Sequence, residues 1–173
     1  MKKKIILSLA IVVIMGMLAD SLNAQIRPRR HHRRPTRIKQ ASAVGFRVGN
    51  DFEKDQYFVG GHFWLPLGVF WKFVPSAEYY FTNNDSTRWQ FNGDFLFKPR
   101  PNGMFYFGGG VAMQFLNTNV SQEKMDFGGN WLVGIDFSQL RNQVMYPYFQ
   151  ARWTFIEKET YFSVLGGINL ILK

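Results

Sequence analysis

From Ala43 to the end of the chain, apolar and polar positions alternate with a period of two. Clusters of Gly, Asn, Asp, Ser and Pro interrupt that alternation roughly every sixteen residues. The pattern predicts eight strands, at about 43–50, 56–65, 70–82, 88–98, 104–116, 124–137, 145–156 and 160–172. The breaks between them fall at Asp51–Asp55, Pro66–Val69, Asn83–Ser86, Pro99–Gly103, Asn117–Glu123, Ser138–Val144 and Glu157–Glu159. No stretch of this body has a convincing helical period. Leu65-Pro66-Leu67-Gly68 and Lys98-Pro99-Arg100-Pro101-Asn102-Gly103 read as tight hairpin connections. Pro75 and Pro147 fall inside strands, where each deletes a ladder hydrogen bond, so a bulge or a later strand start is expected there.

Each strand sorts its chemistry onto two faces. Around residue 90, one face reads Trp89, Phe91, Gly93, Phe95, Phe97 and the other Arg88, Gln90, Asn92, Asp94, Leu96. Carried through the body, one face collects 15 of the 18 phenylalanines. The opposite face takes Tyr80, Tyr106, Tyr146, Tyr148 and Tyr161. It also takes the charges of the strand interiors: Arg47, Lys72, Glu78, Arg88, Asp94, Asp126, Asp136 and Arg152. His62 shares that polar face with Phe58 and Gly60.

Eight strands closed on themselves enclose a lumen only wide enough for side chains. Such a lumen cannot hold about twenty large aromatics, so the aromatic face must point outward. Trp71, Phe81, Trp89, Phe97, Phe105, Phe127, Trp131 and Trp153 then face hydrocarbon, and the polar residues fill the interior. Tyrosine belongs inside on this account, because a buried phenol hydroxyl needs a partner. In lipid only a closed barrel satisfies the backbone of a sheet. The expected fold is therefore all-β: an eight-stranded antiparallel up-and-down transmembrane barrel. A one-residue slip would put Arg47, Lys72, Arg88 or Arg152 against lipid, at about 2–4 kcal/mol each near the midplane. Inside, those cations are expected to pair with Glu78, Asp94, Asp126 and Asp136. Gly60-Gly61, Gly108-Gly109-Gly110, Gly128-Gly129 and Gly166-Gly167 relieve crowding or permit bends in the curved sheet.

The first 24 residues read as a cleaved secretory signal peptide. Lys2, Lys3 and Lys4 form a positive start, Ile5 to Leu18 an apolar run, and Ser21-Leu22-Asn23-Ala24 the approach to cleavage after Ala24. The apolar run is short of the ~20 residues a spanning helix needs. Residues 25–42 form a basic, disordered linker before the barrel of 43–173. Its Arg27, Arg29, Arg30, Arg33, Arg34, Arg37 and Lys39 stand with no acid, and it has too little apolar surface to fold. The formal charge of +9 thus belongs to the amino-terminal segments, since 41–173 balance to zero. The tail reads as a solvated linker, or as a grip on lipid phosphates, an anionic polymer or a partner protein. His31-His32 alone make a poor metal signal. The absence of cysteine excludes disulfides, a thiolate zinc site and a thiol nucleophile. No metal, cofactor or nucleic-acid motif is present.

The body resembles the small outer-membrane β-barrel proteins of Gram-negative bacteria, the OmpA-barrel and OmpX type. The likeness runs from Val44-Gly45-Phe46-Arg47-Val48-Gly49 to the last residue. It is closest in Lys72-Phe73-Val74-Pro75-Ser76-Ala77-Glu78-Tyr79-Tyr80-Phe81 and Tyr106-Phe107-Gly108-Gly109-Gly110-Val111-Ala112. The resemblance implies outer-membrane residence with a periplasmic amino-terminal tail and short outward connections. It also implies insertion through the last strand, where Gly167, Leu170 and Leu172 match the family's assembly spacing. The chain departs from that signal by ending in Leu172-Lys173 with no aromatic. Four roles stay open: a non-catalytic barrel with a structural or surface-contact role, a lipid-modifying enzyme (acyl transfer or deacylation), a narrow pore and a soluble ligand-binding barrel. An acyl-transfer enzyme needs a base beside a nucleophile. His62 is the body's one histidine, with no His-x-Ser spacing, and a lumen position explains it without catalysis.

Overall fold

The computed structural model describes residues 41–82, 86–118, 121–138, 144–157 and 159–172. The expected signal peptide, 1–24, and the expected linker through residue 40 lie outside the described residues. Eight strands follow in order: β1 Ala43–Asp51, β2 Gln56–Pro66, β3 Trp71–Tyr80, β4 Ser86–Phe97, β5 Phe105–Thr118, β6 Ser121–Asp136, β7 Met145–Ile156 and β8 Glu159–Ile171. Each pairs antiparallel with the next, and β1 pairs with β8 from Ala43↔Ile171 to Asp51↔Ser163. The sheet is a closed barrel. Closure leaves no edge strand and supplies every inner ladder position with a neighbour on both sides.

The alternation holds in space. Along β7, the even-numbered residues from Tyr146 to Ile156 are buried while the odd-numbered ones face out. The prolines depart from expectation: neither produces a bulge. Pro75 pairs with Gly93 in unbroken β3–β4 register. On its other side the β2–β3 ladder lapses opposite Pro75 and Val74, then resumes at Leu65↔Phe73 with the register unchanged. Pro147 sits where the β6–β7 ladder ends, so its missing N–H costs one terminal bond; Phe137 N still donates to its carbonyl at 3.1 Å. Among the described residues, the one register shift, between Leu116 and Thr118, lies in the β5–β6 hairpin. That hairpin also runs farther than expected, with Thr118 paired to Ser121. Gly68, at φ 143°, occupies a conformation in the Pro66–Trp71 connection that L side chains rarely adopt.

Inward glycines make the packing possible. A methyl group on Gly45 would sit 2.5 Å from the His62 ring, one on Gly167 would sit 2.6 Å from Tyr148, and one on Gly134 would overlap Tyr106. The glycine pairs seen in the sequence are therefore, on their inward members, the spaces into which large neighbours lean.

Candidate functional site

The site is the lumen, built in layers from the end where Ser42 meets Leu172 toward the far mouth. Nearest that end, Trp64, paired with Ala43, is almost fully buried among tyrosines. Its ring centroid lies 5.5 Å from Tyr106 and Tyr148 and 6.2 Å from Tyr146. Lys72 caps it, with Nζ 4.4 Å from the indole centroid. Below, Lys98 Nζ donates to both Asp136 oxygens at 2.9 Å and to Ser138 Oγ at 3.2 Å; Lys72 approaches Asp136 at 3.9 Å. An indole wedged between three phenols with a cation over its face is a plug.

One layer farther, His62 Nε2 meets Asn169 Oδ1 at 2.7 Å, and Nδ1 faces the Tyr148 hydroxyl at 3.5 Å. Ser76 is the cross-strand partner of His62. Its hydroxyl nevertheless accepts from Arg47 and from Asn92 Nδ2, and both ring nitrogens of His62 point to other groups. This arrangement positions the imidazole as a packing and hydrogen-bonding element.

The middle of the barrel is held by one carboxylate between two guanidiniums. Arg152 donates Nη1 to Glu78 Oε1 at 2.8 Å and Nη2 to Oε2 at 2.6 Å, a two-pronged pair. Arg47 Nη2 lies 2.6 Å from Oε1, and the Tyr80 hydroxyl lies 3.2 Å from Oε2. Glu78 and Arg152 are fully buried. Here the charged pairing expected for Asp94 is corrected. Among the described residues Asp94 has no cation at ion-pair distance and instead accepts from Asn130 Nδ2 at 2.9 Å. Asn130 also donates to Asn92 Oδ1 and accepts from Thr154, while Gln90 donates to Asn92, so a belt of neutral amides crosses the lumen. The stagger of the closed sheet brings these residues level although 38 positions separate Asn92 from Asn130.

Toward the far mouth, Arg88 lies over Tyr80 (4.1 Å) and Tyr161 (5.0 Å) and pairs with Asp51 at 3.4 Å and Gln56 Oε1 at 2.9 Å. Asp126 lies on the same inward face at the mouth of the lumen, its side chain 14% exposed, and pairs with exposed Lys124 at 3.1 Å. Lys124 also reaches Glu157 at 3.2 Å, and Lys54 reaches Glu159 at 3.3 Å. These rim pairs surround a vestibule of about 320 Å³ floored by Gln114 and Tyr161. Arg47, His62, Lys72, Glu78, Arg88, Asp94, Asp136 and Arg152 are all buried in the lumen. Trp64, Lys98 and Asp51 were not singled out in the sequence, although the parity of Phe58-His62, Asp94-Leu96 and Arg47-Gly49 points each of them inward.

The wall outside is the complement of this interior. Trp71, Phe81, Trp89, Phe127 and Trp131 are exposed, with Phe127 and Trp131 more than 60% open, and Phe97, Phe105 and Trp153 face outward half-buried among their neighbours. Outward rings pack edge to face and tilted along the wall, as in Trp71–Phe97 at 4.9 Å and Tyr79–Trp89 at 5.1 Å. A wall this apolar around an ion-paired interior is stable in hydrocarbon and not in water.

No family model matches the sequence, and no curated protein matches it. Solved structures do match in shape. The amino-terminal β-barrel domain of Pseudomonas aeruginosa OprF superposes with a TM-score of 0.64 at 12% identity, over 76% of this chain and 97% of that one. The fold is that of the small outer-membrane β-barrels. Neisserial surface protein A (NspA) matches with a TM-score of 0.54 at 7% identity, over 76% and 94% of the two chains. A de novo designed transmembrane β-barrel matches at 0.51 and 11% identity, over 82% and 100%. Among the described residues, Trp64 with its tyrosines and Lys72 fills the lumen at the Ala43 end, and the Arg47–Glu78–Arg152 cluster fills its middle.

Proposed function

We propose that this chain is a non-catalytic integral protein of the Gram-negative outer membrane, serving an envelope-structural or surface-contact role through its exterior and rim. The observation that carries the reading is the inverted sidedness of the barrel: ion pairs such as Arg152–Glu78 at 2.6 Å inside, and Trp131 and Phe127 open on the outside. The leader of residues 1–24 directs export, and insertion proceeds through the last strand with Leu170 and Leu172 on its outer face and Gly167 yielding room to Tyr148. The basic tail from Arg27 to Arg37 stays on the periplasmic side and contacts an anionic partner there. No nucleic acid and no cofactor enters this reading.

Cell fractionation with carbonate extraction tests it, together with gel migration before and after boiling and conductance in planar bilayers. The expected result is a protein retained in the outer membrane, with heat-modifiable migration and no stable open channel. Release by carbonate as a soluble monomer overturns the membrane assignment, and stable channels overturn the packed lumen.

A further inference from the structure

The charge of the barrel is neutral in sum and polarised in space. Residues 41–173 balance to zero, yet among the described residues the acids gather at the far mouth. Glu53, Asp55, Asp126, Glu157 and Glu159 stand there with Lys54 and Lys124, above the matched pair Arg88–Asp51. At the Ala43 end the sign reverses, with Lys72, Lys98 and Arg100 against Asp136. The ends lie a strand's length apart, beyond the roughly 8 Å over which physiological salt screens a charge. Each mouth therefore presents its own sign to an approaching ligand.

The vestibule of about 320 Å³ opens within the acidic mouth, with Leu116 and Ile156 supplying apolar wall and the Tyr161 ring its floor. Two ammonium groups of the chain already lie in this lining and show what it holds. Lys124 Nζ sits between Asp126 Oδ2 at 3.1 Å and Glu157 Oε2 at 3.2 Å. Lys54 Nζ lies 4.6 Å from the Tyr161 ring centroid and 3.3 Å from Glu159 Oε2. The two lysine side chains are 55% and 37% exposed, and an exposed lysine leaves such a pair at little cost. Among the described residues no three acids or histidines are grouped to hold a metal ion, which a divalent cation would need. A lysine or arginine side chain matches the lining instead, its stem on the apolar wall and its head among carboxylates. Glu53 and Asp55, on the β1–β2 connection, lie outside the vestibule lining, so the acidic surface extends past the reach of a single amine. We propose that the far mouth receives a basic polypeptide segment, one lysine or arginine of which enters the vestibule and takes the Asp126–Glu157 seat from Lys124. This names the partner of the surface-contact role proposed above and rests on that reading.

The test is binding of a polycation. The full chain is folded into micelles of a non-ionic detergent, which adds no charge of its own, and titrated with dye-labelled hexalysine at physiological salt. Fluorescence anisotropy reads the binding, and heat-modifiable migration confirms that each variant is folded. Hexalysine is expected to bind wild type, and hexaserine is not. Asp126→Asn combined with Glu157→Gln is expected to weaken binding by about tenfold. Glu53→Gln combined with Asp55→Asn deletes the same charge outside the vestibule and is expected to weaken it less. Lys124→Met, which vacates the seat, is expected to tighten it. Equal losses from the two double variants, or no response to Lys124→Met, overturn the seat. Spermidine that displaces hexalysine at equal concentration assigns the vestibule to a small polyamine and overturns the polypeptide. A folded barrel that requires detergent but ignores hexalysine refutes this proposal alone, while a protein that is monomeric and soluble without detergent refutes the membrane reading itself.

Discussion

Replacing Glu78 by glutamine keeps the shape of the side chain and deletes its charge. In the barrel, Oε1 of Glu78 faces Arg47 at 2.6 Å and Arg152 Nη1 at 2.8 Å, while Oε2 faces Arg152 Nη2 at 2.6 Å. A carboxamide can present its oxygen to only one side. With the oxygen at the Oε1 position, its NH2 meets Arg152 Nη2, donor against donor. One charge-assisted bond is then lost, at about 1.5–3 kcal/mol, and the others weaken to neutral-acceptor strength. Two guanidiniums also remain in the lumen without their shared carboxylate. Removing one partner from a buried pair costs about 3–5 kcal/mol, and that is the loss expected for Glu78→Gln. Unfolding by urea in detergent micelles, followed by tryptophan fluorescence, measures it. Adding Arg152→Gln should return part of the loss, because the second change removes an unpaired charge; the double-mutant cycle should show coupling of about 1 kcal/mol or more. A loss below about 1 kcal/mol for Glu78→Gln, with additive behaviour in the double variant, would mean that this cluster does not hold the lumen together.

Three further perturbations probe other parts of the barrel. Trp64→Ala removes the plug between Tyr106, Tyr146 and Tyr148, and should destabilise by about 3–5 kcal/mol; planar bilayers should register small conductance steps absent from wild type, and silence there would show that other residues close the lumen. Val111→Arg places a charge at one of the most open positions of the outer wall, 68% exposed, and should cost about 2–4 kcal/mol in the same urea assay, whereas a neutral result would mean that Val111 does not face lipid. Gly134→Val drives a side chain into Tyr106 and should abolish heat-modifiable migration, while Gly93→Ala, with ordinary contacts only, should fold as wild type does.

The wall was legible in the sequence because hydrocarbon on one side and a packed interior on the other force a strict two-residue period, and Phe91-to-Phe97 against Gln90-to-Leu96 displays it without ambiguity. The legibility ends where the hydrocarbon ends. Asn117 to Glu123 was read as a break because both faces of a hairpin beyond the bilayer meet water; yet the backbone there continues to pair as far as Thr118↔Ser121. Lys98 and Asp51 sit at positions that look like connections, although each is the last inward residue of its strand's parity. Partner choice inside the lumen was not legible at all. That Glu78 takes both arginines while Asp94 takes Asn130 depends on the stagger between distant strands, which alternation along one strand does not encode.

Sidedness decides the account, and neighbouring residues on one strand measure it. The chain has no cysteine, so single cysteines can be placed cleanly at Val111 and at Ala112, which are 68% and 1% exposed. Spin labels at the two sites, in barrels reconstituted into phospholipid vesicles, are compared for collision with oxygen dissolved in the hydrocarbon. The label at 111 should collide freely and the label at 112 should be shielded. Shielding at 111 with free collision at 112 would turn the wall inside out and contradict the account.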